Sequence, residues 1–199
     1  MKNIVLFVAL ESELPTENLP ENVEIYYTGV GKVNAAIKAT SVLSVKDSKN
    51  TLIINYGSAG SKVLNKNSLY RCTSFEQADM DARPLTDSIG ETPYDEMIYD
   101  NVSKVIMFDE DVYGSGYICS TADKFQENPS AHLVDMESYS IAKVCKILSF
   151  DFVAYKFVSD DGNSEEWKEN HMNGKFYFLK NMITQNLQSQ QKIFLLKTG

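Results

Sequence analysis

An α/β fold, a single domain built on a parallel-type sheet, is what this sequence predicts, and three observations predict it. Apolar runs of strand length alternate along the chain with stretches of helical spacing. Acidic residues recur where those runs end. The 199 residues suffice for one well-packed domain and are few for two, so residues 1–199 are read as one unit.

The elements follow in order. Ile4 to Leu10 is a near-continuous apolar run, as expected of a strand covered on both faces, and it ends in Glu11, Ser12 and Glu13. Val23 to Thr28 is a second strand that leads through Gly29, Val30 and Gly31 into a helix from Lys32 to about Val45. Thr51 to Asn55 is a third strand, closed by the small residues Gly57, Ser58, Ala59 and Gly60. Leu69 to Phe75, Lys104 to Phe108 and Tyr113 to Ser120 read as further strands. Between them Ala78 to Asn101, with Pro84, Pro93 and the acidic Asp95, Glu96 and Asp100, reads as a long loop of the kind that carries function or an interface.

The stretch Leu133 to Lys146 sets Asp135, Met136 and Glu137 on the first turn of a helix whose apolar stripe continues through Ile141, Ala142, Val144 and Cys145. Two readings of its carboxylates stand at this point. Acidic side chains are favourable at a helix start, as caps or through the macrodipole. A carboxylate at a strand's carboxyl end is also where open α/β sheets bind small ligands. Phe152 to Val158 is then a buried strand ending in Ser159, Asp160, Asp161 and Gly162. Gly174 to about Phe194 spaces Phe176, Leu179, Ile183 and Leu187 as an amphipathic helix packed on the sheet.

Composition narrows the function. Net charge is -8 and the only arginines are Arg71 and Arg83, which argues against a nucleic-acid face and for a small ligand that is neutral or cationic where it is held. No apolar run is long enough to cross a membrane, and the first residues read as a strand, so the expected location is the cytoplasm. Cys72, Cys119 and Cys145 are odd in number and widely spaced, which fits reduced, buried thiols. Gly29 and Gly31 before a helix resemble a dinucleotide fingerprint, but its third glycine falls at Asn34 and Asn55 stands where the ribose-binding acid belongs. No phosphate-binding GxxxxGK[ST] loop is present. Glu13, Glu137 and Asp160, far apart in sequence, all sit at element ends, and a parallel-type sheet gathers such ends on one edge. Each has a plain reading as a loop charge or cap; together they resemble an acid/base site.

Five segments carry a family resemblance: ALESEL (Ala9 to Leu14), TGVGKVNAA (Thr28 to Ala36), NYGSAGS (Asn55 to Ser61), VDMES (Val134 to Ser138) and VSDD (Val158 to Asp161). In order and rough spacing they resemble the purine nucleoside phosphorylase and nucleosidase superfamily, closest to its methylthioadenosine/S-adenosylhomocysteine nucleosidases. The resemblance implies a three-layer αβα domain around a central mixed, mostly parallel twisted sheet, and a homodimer that needs neither cofactor nor metal. It implies hydrolysis of an adenine nucleoside, with Asp160 as the acid at purine N7 and Glu13 as the base for water. By the same resemblance Glu137 holds the ribose hydroxyls, Met136 and Leu10 wall the ribose, and Phe125 packs on the purine. Ser58 and Ser159 support the water and Asp160. The first loop lacks the Gly-Asp-Pro-x-Arg of bacterial hexameric phosphorylases, and scarce arginines would leave a phosphate dianion without bidentate partners. Two positions depart from the nucleosidase pattern: Lys156 replaces an arginine and Asp135 a glutamate. The segment Gln77 to Tyr94 also differs from the loop that shapes the 5′ end of the pocket.

Overall fold

The computed structural model describes residues 3–16, 19–99, 102–108, 116–126, 131–175 and 177–180. Its strands are β1 (Asn3–Val8), β2 (Val23–Tyr27), β3 (Thr51–Gly60), β4 (Leu69–Gln77), β5 (Ile106–Met107), β6 (Tyr117–Thr121), β7 (Leu133–Asp135) and β8 (Asp151–Asp160). Its helices are α1 (Lys32–Leu43), α2 (Asp95–Ile98), α3 (Ser138–Ile147) and α4 (Ser164–Asn170). The long helix expected from Gly174 is helical at Lys175 and 177–180; Phe176 and 181–194, with Ile183 and Leu187, lie outside the described residues, as does the stretch 113–115 of the expected sixth strand.

The alternation of strand side chains decides the core. Val5, Leu6, Phe7 and Val8 are each fully buried, so β1 is covered on both faces as its unbroken apolar run requires. Val5, Phe7 and Ile53 join a cluster with Ala35 and Ala39 of α1 and Ile141, Ala142 and Cys145 of α3. Leu6, Val8, Ile54 and Tyr56 point the other way, into a second cluster with Leu14, Val153, Tyr155 and Phe178. The two alanines of α1 keep its buried face thin, which lets it pack against α3. All three cysteines are free and buried.

The fold is mixed α/β around a central sheet, and that sheet closes on itself. β1 is parallel to β2 and β3, β3 to β8, β4 to β6, and β6 to β7. Antiparallel pairs join β4 to β5, β4 to β8, and β3 to β7. Following the pairs from β3 through β8, β4, β6 and β7 returns to β3, so five strands form a ring from which β1 and β2 extend. Closure leaves those strands no open edge. The ring is made possible by β3 and β8, ten residues each, whose carboxyl-terminal halves outrun β1.

Several expected boundaries move. Gly57 to Gly60 is not a tight turn closing the third strand but its second half, paired with Lys156 to Asp160 of β8. Asp135, placed on a helix by its spacing, ends β7, and α3 starts at Ser138. The loop after Ala78 carries the short α2.

Candidate active site

Parallel pairing of β1, β3 and β8 gathers their carboxyl ends, and a cavity of about 300 Å³ opens there. Glu13 follows β1, Ser58 and Gly60 lie in β3, and Asp160 ends β8; all line it. Glu137 reaches the same cavity for another reason. β7 runs antiparallel to β3 and crosses it at the Gly60–Val134 pair, so the residues that leave β7 pass over the end of β3. Leu10, Met136 and Phe125 complete the set of expected residues on the wall. Ser159 does not line the cavity; its hydroxyl donates to Asp160 Oδ2 at 2.7 Å, so it acts through Asp160.

The three carboxylates are held differently. Glu13 is buried, and its Oε1 accepts the Ser58 N–H at 2.9 Å and the Ser58 hydroxyl at 2.5 Å. Its Oε2 is buried with no protein partner. Asp160 Oδ1 accepts the Gly162 N–H at 2.8 Å. A Cβ on Gly60 would come within 2.9 Å of that same oxygen, so the small residue is required where the strand passes the acid. Glu137 occupies the position before α3 but makes no capping bond there. Its Oε1 accepts the Gly31 N–H at 2.9 Å, at the start of α1, where free backbone donors favour an anion. Burial, then the nearby Asp135 charge, raises its pKa to about 8; Lys156 and the Gly31 bond offset part of this and Glu13 adds to it.

The cap of α3 is Asp135. Its Oδ2 accepts the Ser138 N–H at 2.9 Å and also the Ser138 hydroxyl, and Oδ1 accepts the Thr121 hydroxyl at 2.6 Å. Lys156 Nζ lies 2.7 Å from Oδ2, and both side chains are 1% exposed. Burial, the largest single influence, opposes either charge, yet the opposite charge and the surrounding polar groups together outweigh it: the Asp135 carboxyl lies below its ordinary pKa and the Lys156 ammonium above. The two departures from the nucleosidase pattern therefore satisfy each other.

The structure adds residues that the sequence reading passed over: Trp167, Val30, Lys124 and Gln126 also line the cavity. The Gln126 amide nitrogen is buried without a partner beside Phe125. One signal for Trp167 was present, an isolated tryptophan in the otherwise polar SEEWKEN.

A mixed α/β sheet with a small acidic cavity at its strand ends is the frame of an enzyme for a small, neutral or cationic substrate. Family comparison makes this specific. The model of the Phosphorylase superfamily matches residues 19–177, and the chain belongs to that family. The match begins after Glu13, whose place at the site rests on the geometry above. The 5′-methylthioadenosine/S-adenosylhomocysteine nucleosidase of Staphylococcus aureus (strain MRSA252) is 30% identical over 162 residues, covering 72% of this chain and 70% of the relative. Among solved structures, the nucleosidase of the same name from Colwellia psychrerythraea, in complex with adenine, aligns with TM-score 0.72 at 19% identity, covering 85% of this chain and 88% of that one. Futalosine hydrolase of Helicobacter pylori aligns with TM-score 0.75 at 19% identity, covering 92% and 98%. These structural likenesses establish the fold. Among the described residues no helix is long and apolar enough to cross a membrane.

Proposed function

We propose that the protein hydrolyses the N-glycosidic bond of an adenine nucleoside, with methylthioadenosine or S-adenosylhomocysteine as the substrate. The observation that carries this reading is the convergence of Glu13, Asp160 and Glu137 on one cavity, with one Glu13 carboxylate oxygen left without a protein partner. Cleavage develops positive charge on the sugar and negative charge on the base. Glu13 Oε2 accepts a proton from the attacking water, and Asp160 gives one to purine N7. Glu137 binds the ribose hydroxyls and stabilises the cationic sugar. Phe125 stacks on the purine, and Gln126 offers a free donor at its edge. Leu10, Val30 and Met136 give the remaining wall an apolar character that suits a thioether substituent.

Water is favoured over phosphate as the nucleophile because neither arginine lines the cavity, Lys156 is committed to Asp135, and Lys124 on the wall lacks the planar fork that holds a phosphate dianion bidentately. Val30, Val33 and Ile37, on and just before α1, are 41%, 68% and 64% exposed, an apolar stripe beside the cavity that a second copy in a cytosolic homodimer would cover. The test is substitution of the proton-transfer pair: Glu13→Gln and Asp160→Asn should each abolish turnover while circular dichroism reports a folded protein. Near-normal turnover in either variant removes that residue from the mechanism.

A further inference from the structure

We infer that Trp167 is a positioning residue that acts through Ser58 to aim the Glu13 carboxylate at water, an assignment that rests on the hydrolase reading above. Trp167 is the chain's single tryptophan and sits on α4, a helix with no buried residue. Its ring stacks on His171, with centroids 4.4 Å apart and planes at 20°, and meets Phe125 edge-on at 6.2 Å. Its Nε1–H donates to Ser58 Oγ at 2.8 Å.

The direction of that bond matters. An indole nitrogen can only donate, so the serine oxygen is the acceptor and its single proton is left for another group. That group is Glu13 Oε1, 2.5 Å away, which also takes the Ser58 N–H at 2.9 Å. With two donors on Oε1, the unused lone pairs of the carboxylate lie on Oε2, the buried oxygen without a partner. A serine hydroxyl free of the indole can rotate and accept from the water itself, so that hydroxyl and carboxylate compete for one proton. Trp167 takes one of the two lone pairs of that oxygen and fixes the hydroxyl rotor with its proton on Glu13, which disfavours this alternative. Phenylalanine at the same position keeps the aromatic wall and the stack but has no proton to give.

The experiment measures kcat and KM for methylthioadenosine in wild type, W167F, S58A and the double variant. W167F is expected to lower kcat roughly tenfold, the scale of one hydrogen bond that matters in the transition state, with KM moving less than about threefold. Because the effect passes through Ser58, the double variant should be no slower than S58A alone. A rise in KM at unchanged kcat, or losses that multiply in the double variant, would overturn the inference. Tryptophan fluorescence provides a reading that does not depend on how W167F folds: the emission of this sole indole should shift in S58A, and an unchanged spectrum would equally overturn it. If wild type turns over no nucleoside, the hydrolase reading has failed, and the emission comparison still decides the Trp167–Ser58 contact.

Discussion

Replacing Glu137 by glutamine is expected to stabilise the protein at alkaline pH while removing activity. Burial and the neighbouring Asp135 lift its pKa from an ordinary 4.5 to about 8. Between those values the folded protein keeps a proton that the unfolded chain has lost, so wild-type stability falls as pH rises through the window and levels off above it. At ~1.4 kcal/mol per pH unit, the penalty for ionising the folded group reaches roughly 5 kcal/mol above pH 8. Glutamine retains an oxygen for the Gly31 N–H and carries no charge. Urea unfolding of both proteins at pH 5 and pH 9 reads the difference directly. Its change between the two pH values should favour E137Q by about 3–5 kcal/mol. A difference that does not vary with pH would refute the argument that this carboxylate is held against its ionisation. Above pH 8, where wild-type Glu137 is ionised, kcat/KM of the same variant should be about 100-fold lower, through loss of the charge opposite the cationic sugar. A site that destabilises the fold it belongs to is a familiar consequence of function.

Two further outcomes follow from the geometry. Lys156→Met leaves Asp135 charged and buried without its cation, so unfolding free energy at pH 7 should drop by about 3–5 kcal/mol; a loss below about 1 kcal/mol would show that the pair is not coupled. Light scattering should give twice the chain mass for wild type and the monomer mass for Ile37→Glu, and a monomeric wild type would contradict the assignment of the α1 stripe to a homodimer.

Much of the site was legible in the sequence because its parts are local. A continuous apolar run fixes β1 as a strand buried on both faces, and Glu13 follows it at once. Asp160 closely follows the run Phe152 to Val158, which only Lys156 interrupts. Closure of the sheet had no comparable signal, since the antiparallel contact of β4 with β8 and the single pair of β3 with β7 are choices between distant segments. Gly57 and Gly60 were read as turn residues because glycine usually ends a strand. Here they continue one: a Cβ at Gly60 would come within 2.9 Å of Asp160, whereas Gly57 would meet Lys156 and Glu13 only at ordinary contact distance. Of the two readings open for the carboxylates of Leu133 to Lys146, the cap falls to Asp135 and not to Glu137. Trp167 escaped because a polar helix seven residues long offers no periodicity to weigh, and its partner Ser58 lies 109 residues away.

The central claim is that water, guided by Glu13, takes the sugar from an adenine base protonated by Asp160. The most direct test incubates purified protein with methylthioadenosine, with and without phosphate, and identifies both products. Free adenine and free methylthioribose in equal amounts under both conditions is the predicted result. Methylthioribose phosphate, formed only when phosphate is present, would contradict the account.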